Sequence, residues 1–187
     1  MTDIHSILLI SKDSKIESFV VSLLNQNFDN VAVAKNANEG KRKLMECPVD
    51  IIIVDSGEGE ETDTAIDLSD SSSTVILLVP SSNYDQISYR VETYGIITVT
   101  KPLEVYNFYM MMKVACAVQY KIKSLYATNI RLKEKMEEIR LVNRAKMLLI
   151  KNLSMSEQDA HRYIEKESMD RCEKRTTIAE NIIKTYG

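Results

Sequence analysis

The chain has 187 residues, 44% of them hydrophobic and 27% charged, with a formal net charge of −3. That balance is typical of a folded soluble protein, and apolar runs such as Ile51-Ile52-Ile53-Val54 fall far short of the ~20 residues a membrane span requires. The near-neutral total conceals two halves: residues 1–103 carry 8 Lys+Arg against 16 Asp+Glu, and residues 104–187 carry 16 against 11.

Backbone breakers follow the same division. Pro48, Pro80, Pro102 and every glycine except Gly187 lie in the acidic half, so the basic half is predicted to be almost entirely helical. Asp3 stands where a secretory signal would carry basic residues, which points to a cytoplasmic protein with no membrane partner. Cys47, Cys116 and Cys172 are odd in number, far apart and without nearby histidine. That spacing argues against a disulfide framework and against a zinc site, so no metal or cofactor is expected from it.

In the acidic half, strand-length runs of aliphatic and β-branched residues recur at Ile7 to Ile10, Val31 to Ala34, Val49 to Val54, Thr74 to Val79 and Ile96 to Thr100. Segments with helical spacing separate them, such as Ile16, Phe19, Val20, Leu23 and Leu24. Strands alternating with amphipathic helices predict a parallel sheet covered on both faces, a flavodoxin-like doubly wound α/β domain over residues 1–118. Function in such a fold gathers at the carboxyl ends of the strands, which here read Ser11-Lys12-Asp13, Asp55, Val79-Pro80-Ser81 and Thr100-Lys101-Pro102.

These strand ends resemble the receiver domain of two-component response regulators. The resemblance implies that Asp55 occupies the phospho-acceptor position and that Lys101, followed by Pro102, is the lysine at the end of the fifth strand. It also implies an acidic Mg²⁺-binding pair after the first strand, where this chain has Ser11 and Lys12 with Asp13 beside them. Val79 stands where the family carries a hydroxyl, and no Met-Pro follows Asp55. Replacing two carboxylates by a hydroxyl and an ammonium removes most of the oxygen ligands a hard cation needs. Asp55 is therefore expected to keep its place without the usual Mg-dependent chemistry, and a Lys12–Asp55 ion pair is expected where the metal would sit. The acidic, Ser- and Thr-rich segment Glu58 to Ser73 predicts a shortened or irregular third helix.

From Phe108, apolar residues fall at 108, 111, 115, 118, 122, 125, 132, 136 and 139, a heptad spacing interrupted once by Asn129. With Ile122, Asn129 and Met136 at position a and Val118, Leu125, Leu132 and Ile139 at position d, the seam predicts a parallel homodimeric coiled coil within a linking helix over residues 104–143. The flanking positions oppose it mildly, since Lys135 would face Arg140 of a partner helix.

Beyond Ile139 three short helices are predicted. The first contains Arg144-Ala145-Lys146 and ends near Asn152; Ser156 caps a second to about Ser168; and Thr176 or Thr177 caps a third, with Glu180 closing a capping box if Thr177 is the cap. Met147, Leu149, Met169 and Ile182 are the expected core. Arg144-Ala145-Lys146, Met155-Ser156-Glu157-Gln158-Asp159-Ala160, Ser168-Met169 and Ile178-Ala179-Glu180 together resemble the ANTAR domain, the RNA-binding module of transcription antitermination regulators, over residues 134–187. Arg175 departs from it, standing where an aliphatic residue is common.

RNA binding needs cations to replace phosphate counterions, and hairpin loops offer unstacked bases. Arg144, Lys146, Lys151, Arg162, Lys166, Arg171, Lys174 and Arg175 supply charge, with His161 and Tyr163 available for stacking. The sequence thus suggests a non-enzymatic antitermination regulator whose dimer binds stem-loops of leader RNA. Its rivals are a regulator that depends on phosphorylation of Asp55, and a receiver controlled by a docked sensor kinase or repressor protein.

Overall fold

The computed structural model describes residues 6–28 and 30–187. Its elements fall into two compact units, one reaching Ser124 and one running from Leu125 to Gly187. In the first, strands β1 (Ser6–Ile10), β2 (Asn30–Ala34), β3 (Ile51–Asp55), β4 (Thr74–Pro80) and β5 (Ile97–Lys101) form one parallel sheet in the order β2-β1-β3-β4-β5. The helices between them are α1 (Ser14–Leu24), α2 (Ala37–Glu46), α3 (Thr62–Ser69) and α4 (Tyr84–Val91), as a doubly wound fold requires.

The alternation of side chains along each strand decides what packs where. Ile7, Leu9, Ile51, Ile53, Ile76 and Leu78 face one side, against Val20 and Leu24 of α1 and against Phe108, Met111, Met112 and Ala115 of the helix α5 that follows β5. Leu8, Ile10, Ile52, Val54, Val75, Leu77 and Val79 face the other, against Ala65 and Leu68 of α3 and Ile87 and Val91 of α4. Burying an Ile or Leu contributes about 1.5–3 kcal/mol, so these two layers carry most of the stability of the unit. Gly40 allows the close approach of α2 to this sheet: a Cβ there would stand 2.5 Å from Ile10 Cδ1. The third helix is short, at 8 residues, as the Ser- and Thr-rich sequence suggested.

Helix α5 (Val105–Leu153) runs 49 residues and belongs to both units. The helix expected to end near Asn152 is therefore the last part of α5, because no Gly or Pro interrupts residues 103–153. Its heptad pattern serves two purposes. Phe108, Met111 and Ala115, the first three seam positions, are buried in the core of the sheet. The free seam therefore begins at Val118 and is shorter than the apolar spacing alone implies. Gln119 closes the docked section: its side chain accepts a hydrogen bond from Thr74 Oγ1 at 2.8 Å and donates one to the Ser72 carbonyl at 3.0 Å. One turn on, Lys123 pairs with Asp50 at 2.6 Å.

In the second unit the end of α5 packs with α6 (Glu157–Arg171) and α7 (Arg175–Tyr186). The core is small: Ala145 and Leu149 from α5, Ala160 and Ile164 from α6, and Ile178, Ala179 and Ile182 from α7. Leu149 and Ile182 are core as expected, whereas Met147 and Met169 are exposed. Both lie off the buried stripe of their helices, which Ala145 and Leu149 form on α5 and Ala160 and Ile164 on α6. Ser156 caps α6 by accepting the Asp159 N–H at 3.1 Å, and α6 continues to Arg171, where Cys172 ends it in the left-handed region at φ 51°. The third cap differs from expectation. Lys174 is the N-cap of α7 without a side-chain bond, Thr176 and Thr177 lie inside the first turn, and no capping box forms with Glu180.

Candidate functional site

Two sets of side chains answer the sequence expectations, one in each unit. The first lies at the carboxyl end of the sheet. Asp55 is the last residue of β3, Ser11 follows β1 and Lys101 ends β5, so the parallel register brings the three together. Ser11 Oγ donates to Asp55 Oδ2 at 2.7 Å in a buried contact. Lys101 Nζ donates to Asp55 Oδ1 at 2.7 Å and to the Ser56 carbonyl at 2.7 Å. The Asp55 side chain is only 5% exposed and that of Lys101 18%. Both carboxylate oxygens are thus engaged within the chain, in a setting where a charged hydrogen bond is strong and an unpaired charge costly.

The expected Lys12–Asp55 ion pair is not formed. Lys12 reaches outward to Glu61 Oε1 at 2.8 Å, while Ser11 and Lys101 are the side chains that meet Asp55. The Glu61 hydrogen bond and charge raise the Lys12 ammonium above its ordinary range. Burial opposes ionisation of Glu61, but the hydrogen bond and charge of Lys12, with the Gly57 N–H, outweigh it and hold the carboxyl below the usual range. Asp13 caps α1 by accepting the Lys15 N–H at 2.8 Å. Val79 is fully buried among the second layer of core residues.

A divalent cation of the kind the receiver resemblance implies does not fit this donor set. Hard cations want several oxygens with spare lone pairs. Here the acidic pair is a hydroxyl and an ammonium, Asp13 serves a helix end, and Glu61 is held by Lys12. Among the described residues no group of three or more His, Cys, Asp or Glu side chains is placed to hold a metal.

The second set lies in the unit from Leu125 onward and in the α5 turns leading to it. Val118, Leu125, Leu132, Met136 and Ile139 are between 37% and 70% exposed, Ile122 is half-buried and Asn129 is exposed. These side chains form a largely open apolar row along one face of α5. Arg140, the flanking cation that opposed pairing, is bound within its own helix by Glu137 at 2.7 Å, which raises its pKa and blunts the repulsion.

The candidate RNA-binding cations divide into two groups. Lys146 pairs with Glu157 at 3.1 Å, Arg171 with Glu167 at 2.7 Å, and Arg175 with Glu138 at 3.3 Å and Glu165 at 3.7 Å. Arg175 therefore ties the start of α7 to α5 and α6, which accounts for an arginine at a position expected to be aliphatic. Arg144, Lys151, Arg162, Lys166 and Lys174 are exposed and make no ion pair within the described residues. His161 and Tyr163 are also exposed, with His161 Nε2 3.3 Å from Glu165. The Arg171–Glu167 pair, four residues apart on one helix, is visible in the sequence, whereas the partner of Lys146 lies on α6 and one partner of Arg175 is on α5.

Residues 131–183 match the family model of the ANTAR domain. The transcriptional regulatory protein PdtaR of Mycobacterium tuberculosis is 26% identical over 113 residues, a match covering 60% of this chain and 55% of that protein. The chain thus matches little more than half of that relative's length. Solved structures share the fold of the first unit. The signal receiver domain of an HD domain-containing protein from Pseudomonas fluorescens superposes with a TM-score of 0.59 at 18% identity, over 66% of this chain and 95% of that one. A CheY-like receiver domain protein from Methanospirillum hungatei gives 0.56 at 18%, over 64% and 98%. A receiver domain protein from Clostridium thermocellum gives 0.55 at 20%, over 66% and 99%. Among the described residues no helix is long and apolar enough to cross a membrane.

Proposed function

We propose that this chain, in which an ANTAR domain follows a receiver-type α/β domain, is a transcription antitermination regulator that binds stem-loops of leader RNA as a homodimer. A parallel coiled coil over residues 118–139 joins the two copies. The cations of the ANTAR stretch hold RNA phosphates and so favour one fold of the transcript over a competing terminator hairpin, as a ligand favours the state it binds better. Two tethered modules suit paired stem-loops, since the second contact is intramolecular. The receiver-type domain does not run on Mg-dependent phosphorylation, because Ser11 and Lys12 stand where a hard cation would need carboxylate oxygens.

One observation carries the reading. Arg144, Lys151, Arg162, Lys166 and Lys174 are exposed and make no ion pair among the described residues, in the stretch that matches the ANTAR model, while Lys146, Arg171 and Arg175 are held by carboxylates. A mobility shift of the full chain with hairpin-containing leader RNA tests it. Binding should weaken steeply with salt, and Arg144→Ala plus Arg162→Ala should reduce it by at least tenfold. Binding insensitive to salt or to this double change would reject the assignment.

A further inference from the structure

The first unit holds a cleft of about 230 Å³ between the end of α1 and the first turns of α5. Its floor is the core itself: Leu24, Phe108 and Met112 are buried there, and Cys116 is half-buried beside them. Leu23 and Phe28 after α1, with Tyr109 of α5, add apolar walls. The turn that carries Phe28 is fixed, because the N–H groups of Asn27 and Phe28 both donate to the Leu24 carbonyl, at 2.9 and 3.0 Å. The cleft is clear of the seam. Cys116 and Val118, two positions apart on one helix, point about 200° apart around it.

The charge of the cleft is unlike that of the chain around it. Residues 1–103 carry 16 Asp+Glu against 8 Lys+Arg, yet the lining has no carboxylate and one cation, Lys113. Lys113 is exposed, stands 5.2 Å from the centre of the Tyr109 ring and makes no ion pair among the described residues. Its charge reaches the floor: burial pushes the Cys116 thiol above its ordinary range, and the Lys113 ammonium opposes that shift. Gln26 and Asn27, also in the lining, are exposed, and neither side chain has a hydrogen-bond partner among the described residues.

We propose that this cleft binds a small amphipathic carboxylate, its apolar tail laid over Phe108 and Met112 between Phe28 and Tyr109, and its carboxylate held by Lys113 and the Gln26 and Asn27 amides. At ~30 Å³ for each water-sized group, the cleft holds about eight non-hydrogen atoms, which suits a medium-length chain or a single ring. A monoanion matches one cation and two amide donors. A phosphate dianion would bring a second charge and a third oxygen that apolar walls leave unsatisfied. A cationic ligand would be repelled by Lys113. The site lies apart from Asp55 and its partners, and it does not depend on the RNA-binding reading.

The test titrates octanoate into the full chain by calorimetry, with 1-octanol and octylamine as its neutral and cationic counterparts. Octanoate should bind saturably, one per chain, with a Kd below about 1 mM; octanol should bind about tenfold more weakly, and octylamine not at all. 3-Phenylpropanoate distinguishes a ring from a chain as the tail, and saturable binding of either acid supports the assignment. Lys113→Met keeps the apolar stem and should bring octanoate down about tenfold, to the level of octanol, whose own binding is unchanged. Added salt should weaken octanoate and leave octanol as it was. In a Cys47→Ser plus Cys172→Ser chain, octanoate should slow alkylation of Cys116, which locates the ligand without altering the cleft. The proposal is overturned if neither acid binds below about 10 mM, if octanol matches octanoate, or if Lys113→Met binds octanoate as the wild type does. An octanoate that binds but leaves the alkylation rate of Cys116 unchanged sits elsewhere and equally rejects it.

Discussion

Asp55 and Arg144 are both polar residues placed where function is expected, yet their surroundings are opposite. Asp55 is buried, with one oxygen on Ser11 and the other on Lys101. Arg144 is exposed and makes no ion pair among the described residues, and the same holds for Lys151, Arg162 and Lys174. A charge satisfied inside the chain supports the fold, whereas one left in water is available to a partner. The contrast is what favours the second unit as the working surface in the proposed function.

The seam bears most directly on that contrast. Leu125→Asp with Leu132→Asp should convert a dimer into a monomer in sedimentation, and should cost on the order of 10²–10⁴ in affinity for a paired stem-loop RNA by removing avidity. A wild type that is already monomeric at tens of micromolar would break the account at this point. Next in size, Lys101→Met leaves a buried carboxylate with only a serine for company. It should lower the unfolding free energy in urea by roughly 3 kcal/mol, and a change below about 0.5 kcal/mol would show the pair to be incidental.

Gln119 tests the docked part of α5. Gln119→Ala leaves the Thr74 hydroxyl and the Ser72 carbonyl without their partner, and should cost about 1–3 kcal/mol of stability in the same assay. The smallest effect concerns Lys12. Because the Glu61 carboxyl is held below its ordinary range, the bridge should stabilise the fold above about pH 4.5 and lose that contribution as pH falls through the lowered value. The difference in thermal midpoint between wild type and Lys12→Ala should therefore be present at neutral pH and vanish in acid.

Much of this was legible in the sequence, for identifiable reasons. The doubly wound sheet showed itself because each buried strand is a short aliphatic run and each covering helix has its own period. Asp55 and Lys101 could be placed because the ends of strands are fixed once the strands are. Pairing between side chains far apart in the chain was not legible. Lys12 and Glu61 are 49 residues apart, and nothing local indicates that Lys12 turns outward while Ser11 takes the carboxylate. The heptad pattern is plain in the sequence, but periodicity does not say which partner covers it, and Phe108, Met111 and Ala115 meet the sheet. The N-cap of α7 is Lys174 for a related reason. Thr177 looks like a cap by residue type, yet Ile178, Ala179 and Ile182 must reach the core, and the helix begins early enough to place them there.

The measurement that tests the central claim most directly compares two variants for affinity to the same leader hairpin RNA across a range of salt, in Mg²⁺ with a small-molecule phosphodonor present. The account predicts that Asp55→Asn binds within about twofold of the wild type, and that intact mass shows no phosphate on the wild type. It predicts that Arg144→Ala plus Arg162→Ala binds at least tenfold more weakly with a salt slope reduced by about one to two. A phosphorylated Asp55 on which RNA binding depends, with the arginine variant binding normally, would contradict it.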